Sequence, residues 1–252
     1  MTLANIAHRG NSAHTPENTL AAFASAAAAG AGMIETDLQL SADGTVVLIH
    51  DETLNRTAGR NGRVADLTAS ELQSADAGSW FSQDYAGERV PVLADLVDFA
   101  GGHPELGWLL EFKGEWNPGQ VAAAAGTLRE AGIAGRCVLQ GFSRHTVRNL
   151  HAAAPDIDRG LLLPAAPEPA GEGTLLEFLA ETASSYCNPH GGVLQASPHL
   201  VSVLQAANVK VLAWTLNEPA QWEAAVAAGV DGIITDRPAE LAAWSGLAQS
   251  SG

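Results

Sequence analysis

Basic residues are scarce in this chain, with 13 Lys and Arg against 28 Asp and Glu in 252 residues, a formal charge of −15 and a pI near 4.7. Nucleic-acid phosphate tracks and polybasic membrane surfaces both need clustered Lys and Arg, so neither partner suits the sequence. An anionic substrate would have to find a local positive site. Cysteine is nearly absent: Cys137 and Cys187 stand far apart inside apolar runs, without the close spacing of zinc ligands or a disulfide framework. Buried thiols are expected. No apolar run approaches the roughly 18 residues of a membrane span, and no basic stretch followed by a long apolar run opens the sequence. A reducing cytoplasm with no stable membrane association is the expected setting. No G-x-G-x-x-G turn opens a helical run, so a dinucleotide fold has no support. Nothing in the composition specifies an oligomeric state.

What the sequence does have is alternation. The length suits one barrel or two small domains. Strand-like runs at 3–8, 33–40 with 46–49, 107–113, 137–140, 160–163, 184–188, 209–215 and 232–235 alternate with alanine-rich helical runs. Thr15 before Pro16 reads as an N-cap with proline at the first helical position, and Pro219 and Pro238 open later helices in the same way. Gly30, Gly132 and Gly229 stop three of them. Eight such repeats fit a single closed (β/α)8 TIM barrel over residues 1–246 better than an open doubly wound sheet. Residues 51–90, rich in Gly, Asp, Ser and Arg, are too long for a barrel connection and read as an insertion after the second strand unit. Loops after the strands form the active-site face of such barrels, so the insertion is expected over that face, as a lid or specificity element. A solvated excursion with Trp80, Phe81 and Tyr85 as a minor core is the competing expectation. Residues 247–252 are expected to be a disordered tail.

The run from Met33 to Asp51 concentrates the chemistry. In a strand, Glu35 and Asp37 point to one face while Ile34, Thr36, Leu38 and Leu40 point to the other. Two neighbouring acids out of bulk water repel, and one is pushed to keep a proton unless a cation lies between them. A solvated edge strand would need no such account, but the aliphatic opposite face and the apolar run 46–49 argue for burial. Glu111 and Lys113 again share a face two residues apart. Three carboxylates, Glu35, Asp37 and Glu111, make an oxygen-rich cage suited to one hard divalent cation, Mg²⁺ or Ca²⁺. Arg9 and Lys113 add positive charge suited to a small phosphate ester. His8 and His50, at the ends of neighbouring strand units, suit proton transfer to and from such an ester. Taken singly, each histidine is more simply a structural residue; the set of seven together is harder to explain that way.

The runs HRGNSAHTPENTLAAF (8–23), IETDLQLSADGTVVLIHDETLNRT (34–57), LLEFK (109–113) and WTLN (214–217) resemble the glycerophosphodiester phosphodiesterase family. The order H-R-G, P-E-N-T, E-x-D and H-D carries the resemblance, which extends over nearly the whole chain. It implies a (β/α)8 barrel with a small insertion and a metal-dependent cleavage of glycerophosphodiesters such as glycerophosphocholine or glycerophosphoethanolamine to an alcohol and sn-glycerol 3-phosphate. Position by position it implies His8 and His50 as the acid/base pair, Glu35, Asp37 and Glu111 as metal ligands, Arg9 at the phosphate and Lys113 beside it. Phe112, Gly141 and Asp95 depart from the family's habitual residues without touching that set. Trp214 and His190 are weaker candidates for substrate contact, and Gln140 and Phe142 for the pocket wall. Glu17 and Asn18 are expected to brace the first loop, and the other histidines to lie on the surface. The rival readings are a related barrel phosphodiesterase acting on lysophospholipid or another phospholipid, and a non-catalytic barrel that binds phosphoryl ligands.

Overall fold

The computed structural model describes residues 3–167 and 171–250. In chain order the elements are β1 (Ala4–His8), α1 (Leu20–Ala28), β2 (Met33–Leu40), β3 (Val46–Leu48), α2 (Asn55–Ala58), α3 (Ala69–Gln73), α4 (Leu93–Gly102), β4 (Gly107–Phe112), α5 (Pro118–Glu130), β5 (Cys137–Gly141) and α6 (Arg144–Ala153). There follow β6 (Asp158–Leu163), α7 (Glu172–Glu181), β7 (Tyr186–Pro189), α8 (Gly191–Ala196), α9 (Leu200–Ala206), β8 (Leu212–Ala213), α10 (Pro219–Ala228), β9 (Gly232–Thr235) and α11 (Pro238–Ser250).

Eight parallel strands run in the order β7-β6-β5-β4-β2-β1-β9-β8, and parallel bridges Tyr186–Lys210 and His190–Trp214 join the two ends. The ring is the (β/α)8 barrel that the alternation predicts. β3 stays outside it, antiparallel to the end of β2 with Leu38 opposite Leu48 and Leu40 opposite Val46. This hairpin carries the chain past the barrel rim before it reaches His50.

The two-residue period of the strands sorts their side chains. Ile6, Leu109, Val138, Tyr186, Leu212 and Ile234 fill the barrel interior, while Ala7, Ile34, Leu110, Phe112 and Leu139 join the outer core with Phe23, Leu96 and Leu128 of the helices. Two residues beyond the inward-facing Ile6, Leu109, Val138, Tyr186, Leu212 and Ile234 stand His8, Glu111, Gln140, Asn188, Trp214 and Asp236. An apolar plug therefore lies beneath a polar layer at the C-terminal ends of the strands. Space in the plug is tight, because a Cβ at Gly232 would meet Ile6, Leu212 and Ala4 atoms at 2.8–2.9 Å.

Several local expectations need correction. α1 begins at Leu20, and its cap is Thr19, whose hydroxyl accepts from Ala22 N at 3.2 Å. Thr15 instead donates to Asn11 O. The reason is Asn18, whose φ of +56° is incompatible with a helix and whose side chain is needed at β2. Two short helices, α8 and α9, follow β7 where the alternation predicts one. In the insertion the small core is aliphatic, formed by Leu54, Val64 and Leu72 with Val47, Ile49 and Val90. Trp80, Phe81 and Tyr85 stack edge-on outside it, with Trp80 39% exposed. α11 runs from Pro238 to Ser250, and residues 251–252 of the expected tail lie outside the described residues. Among the described residues no helix is long and apolar enough to cross a membrane. Cys137 and Cys187 are free and buried, and burial pushes both thiols up to about 12.

Candidate active site

Strand register brings the acids together. His8 lies opposite Glu35 across β1 and β2, and Asp37 opposite Glu111 across β2 and β4. All three carboxylates are buried, and each offers an oxygen within 4.8 Å of those of the other two. Burial raises the Glu35 carboxyl well above its ordinary range, helped by repulsion from Asp37 and Glu111. Burial and Asp37 likewise lift Glu111 to about 7, against the pull of Lys113. Asp37 goes the other way. Its burial is outweighed by Arg9, Lys113, His50 and a hydrogen bond from Asn18, which together hold it below the usual carboxylate range.

The cations are close but do not neutralise the cluster. Arg9 Nε lies 3.2 Å from Asp37 Oδ2, and Lys113 Nζ lies 3.5 Å from Asp37 Oδ1 and 3.0 Å from Glu111 Oε1. That Glu111 oxygen receives no well-directed hydrogen bond from the described residues despite complete burial. Three convergent hard oxygen donors, two of them unwilling to ionise side by side, and one buried oxygen left without a directed donor fit a divalent cation.

The loop after β1 builds the other side of the cluster. Arg9 and Gly10 both adopt left-handed backbone, with φ of +56° and +85°. The turn aims the Arg9 N–H at Glu35 Oε2, 3.0 Å away. Gly10 is obligatory, since a Cβ there would stand 2.6–2.7 Å from Ala22 Cβ, C and O. Asn18 completes the brace: its amide donates to Asp37 Oδ2, while its carbonyl accepts from the Thr36 hydroxyl and the Asp37 N–H. Glu17 accepts from Arg9 at 2.8 Å. Both residues brace the first loop, as the sequence suggests.

Each histidine is held through Nδ1 by a carboxylate. His8 Nδ1 lies 2.6 Å from Asp236 Oδ1, and its Nε2 lies 4.0 Å from Glu35 Oε2. Asp236 also accepts from Ser12 Oγ and Asn217 Nδ2. Burial would raise this carboxyl, but the donors His8, Asn217 and Ser12 hold it down at about 2. His50 Nδ1 lies 2.7 Å from Asp51 Oδ1, and Asp51 is gripped in turn by Arg56 at 2.8 and 2.9 Å. Those contacts keep Asp51 far below the usual carboxylate range, whereas burial lowers His50. Fixing Nδ1 as the protonated nitrogen leaves Nε2 of each ring as the one available for proton exchange.

Between them lies a cavity of about 80 Å³. His8, Arg9, Glu35, His50, Glu111 and Lys113 line it, so the structure brings together every polar residue expected at the metal, the phosphate or the proton transfers except Asp37, which sits just beneath, and His190. Trp214 forms the opposite wall, its Nε1 donating to Asn188 O and its ring set edge-on against the half-exposed Phe142. Gln140 lines the same cavity and accepts from Asn188 at 2.7 Å. His190 is not brought in. It caps α8, its Nδ1 accepting from Gly192 N, and its ring faces a separate cleft behind Trp214.

Sequence reasoning passed over Asp236, Asp51 and Arg56 as site residues. Asp236 had a signal, since it stands two residues beyond the inward-facing Ile234 at the end of the last strand, where β-alternation points it inward. Arg56 had none, because its partners come from two separate loops.

Against this geometry the likenesses to known proteins are specific. Residues 8–240 match the model of the glycerophosphoryl diester phosphodiesterase family. A glycerophosphodiester phosphodiesterase of Caldanaerobacter subterraneus is 35% identical over 240 residues, covering 94% of this chain and 95% of the relative. A phosphodiesterase of Oleispira antarctica, solved in complex with the product sn-glycerol-3-phosphate, is 29% identical with a TM-score of 0.88 over 97% of this chain and 96% of that one. A glycerophosphodiester phosphodiesterase from Agrobacterium tumefaciens superposes with a TM-score of 0.82 at 28% identity, covering 96% of this chain and 100% of that one. From the H-R-G turn of β1 to the first turn of α11, the chain belongs to the glycerophosphoryl diester phosphodiesterase family.

Proposed function

We propose that the protein is a metal-dependent glycerophosphodiester phosphodiesterase that hydrolyses glycerophosphocholine, glycerophosphoethanolamine and similar diesters to the free alcohol and sn-glycerol 3-phosphate. The observation that carries the reading is a pair of carboxylate-anchored histidines lining the same small cavity as Glu35 and Glu111, two members of a buried triad of acids. A module that only binds phosphate has no use for two oriented proton carriers.

Glu35, Asp37 and Glu111 would hold one divalent cation, Mg²⁺ or Ca²⁺. Bound there, the ion would withdraw charge from the phosphoryl oxygens. Arg9 and Lys113 supply the remaining positive charge on that side and orient the phosphate. One imidazole Nε2 takes a proton from the attacking water while the other, charged, gives one to the departing alkoxide as its P–O bond breaks. The ring of Trp214 covers the opposite wall and suits contact with the glycerol carbons. Residues 1–246 act as one catalytic domain, the insertion lies over its active-site face, and two free buried thiols suit a reducing cytoplasm.

Release of glycerol 3-phosphate from glycerophosphocholine, with and without chelator, tests this. Chelator-sensitive release is expected, as is a loss of roughly 10²–10⁴-fold in kcat for His8→Ala and for His50→Ala. Release that ignores chelator would remove the metal assignment. Cleavage of lysophospholipid alone would move the substrate to lipids, and binding without turnover would leave a phosphoryl-binding barrel.

A further inference from the structure

Resting on the acid/base reading of His50, we propose that Arg56, a residue of the insertion, is the positioning residue that holds His50 and Arg9 in their working orientations at once. Its guanidinium makes two forks. Nε and Nη2 donate to Asp51 Oδ2 and Oδ1 at 2.8 and 2.9 Å, and Nη1 and Nη2 donate to Glu17 Oε2 and Oε1 at 2.6 and 2.8 Å.

Each carboxylate it grips is shared with a residue of the cavity. Asp51 Oδ1 also meets His50 Nδ1, and Glu17 Oε1 also accepts from Arg9 Nη1. Arg56 is thus the common partner of the groups that orient one histidine and one phosphate-side cation. Among the described residues, His50 is the only other side-chain hydrogen-bond partner of Asp51, and Arg9 the only other one of Glu17. A planar fork with five donors can serve two carboxylates bidentately; a lysine ammonium, a single point charge, cannot.

The insertion in turn fixes Arg56. It sits in the four-residue α2 between buried Leu54, part of the insertion's aliphatic core, and buried Thr57, with Trp80 6.0 Å from the guanidinium. Packing of residues 51–90 is thereby transmitted to the cavity through one side chain. The competing account is that Arg56 merely staples the insertion to the barrel, in which case its removal should cost stability and leave the chemistry alone.

The test compares the metal-loaded parent with Arg56→Ala, Arg56→Lys, His50→Ala and the double variant Arg56→Ala/His50→Ala. Arg56→Ala should lower kcat by about 10- to 100-fold, the range usual for partners that orient a site residue. In the His50→Ala background the same change should lower kcat by clearly less than it does in the parent, because the share that acts through His50 is already lost and only the share through Glu17 and Arg9 is left. Guanidinium ion should restore part of the lost rate where equal ionic strength of sodium chloride does not. Arg56→Lys keeps the charge and should fold even if the alanine variant does not, yet recover little of the rate. Independently of turnover, long-range ¹H–¹⁵N correlation should find His50 protonated at Nδ1 in the parent and as a tautomer mixture in Arg56→Ala and Arg56→Lys. A kcat unchanged in Arg56→Ala beside a lowered melting temperature would overturn the proposal in favour of the staple, and fully multiplicative losses in the double variant or an unchanged His50 tautomer would overturn the role of Arg56 toward His50. If the parent itself releases no glycerol 3-phosphate, the functional reading fails while the tautomer measurement still decides the role of Arg56.

Discussion

Asp236→Asn is the substitution whose outcome the structure specifies most closely. Asn217 Nδ2 donates to Asp236 Oδ2 at 2.6 Å, and this donor cannot turn over, because Asn217 Oδ1 is committed to the Thr235 hydroxyl and the Asp236 N–H. An asparagine at 236 must therefore place its carbonyl toward Asn217 and its amide toward His8. That amide would stand where Asp236 Oδ1 now lies, 2.6 Å from His8 Nδ1, and would donate to the nitrogen that is held protonated in the parent. The proton of His8 moves to Nε2, the wrong tautomer for a base. The change falls on the acid/base contribution, so kcat should fall by roughly 10²–10⁴-fold, or about 3–5.5 kcal/mol of barrier, with little change in volume or packing. Steady-state release of glycerol 3-phosphate over a pH series, beside a thermal melt, is the assay. A variant with parent-like melting and a kcat within threefold of the parent would refute the orienting role of Asp236 and with it the acid/base role of His8.

Removing divalent ions should expose the strain in the acid cluster as a pH effect on stability. Glu35 and Glu111 are raised in the folded protein, Glu111 to about 7, so between roughly pH 4.5 and 7 the folded state binds more protons than the unfolded chain and stability falls as pH rises. Thermal melts of chelator-treated protein should therefore drop from pH 5 to pH 7.5, and added Mg²⁺ or Ca²⁺ should raise the melting temperature more at the higher pH; a melting temperature that rises with pH in chelator would contradict the proposed cluster. Gly10→Ala should destabilise by about 1–2 kcal/mol from the left-handed backbone alone, with more from the clash against Ala22. Because the same turn aims Arg9 N–H at Glu35, denaturant titration and metal affinity should both register the change, and a variant as stable as the parent would show that the turn can relax.

Most of the fold was legible as one-dimensional periodicity. Runs with a period of two, separated by alanine-rich helical runs, produced a ring of eight parallel strands, because each strand needs both faces covered and each helix needs a sheet to cover. The same period placed Glu35, Asp37, Glu111 and Lys113 correctly, since residues two apart on a strand share a face whatever the strand's neighbours are. The start of α1 was not legible. A Thr-Pro pair is a sound local helix signal, but the demand of Thr36 and Asp37 for the Asn18 side chain overrides it and delays the helix to Leu20.

By itself, then, the sequence determined the alternation of elements, the faces of the strands and the chemical types gathered at their ends, all of which depend on spacing within a few residues. Only the tertiary structure decided which carboxylate serves which histidine. His8 and Asp236 are 228 residues apart and meet because barrel closure sets β1 beside β9, while Arg56 and Glu17 are 39 apart and meet because the insertion folds back over the first loop. His190, a weaker candidate from the sequence, faces a neighbouring cleft and caps the helix that follows it. Such pairings rest on three-dimensional closure, and no local pattern encodes them.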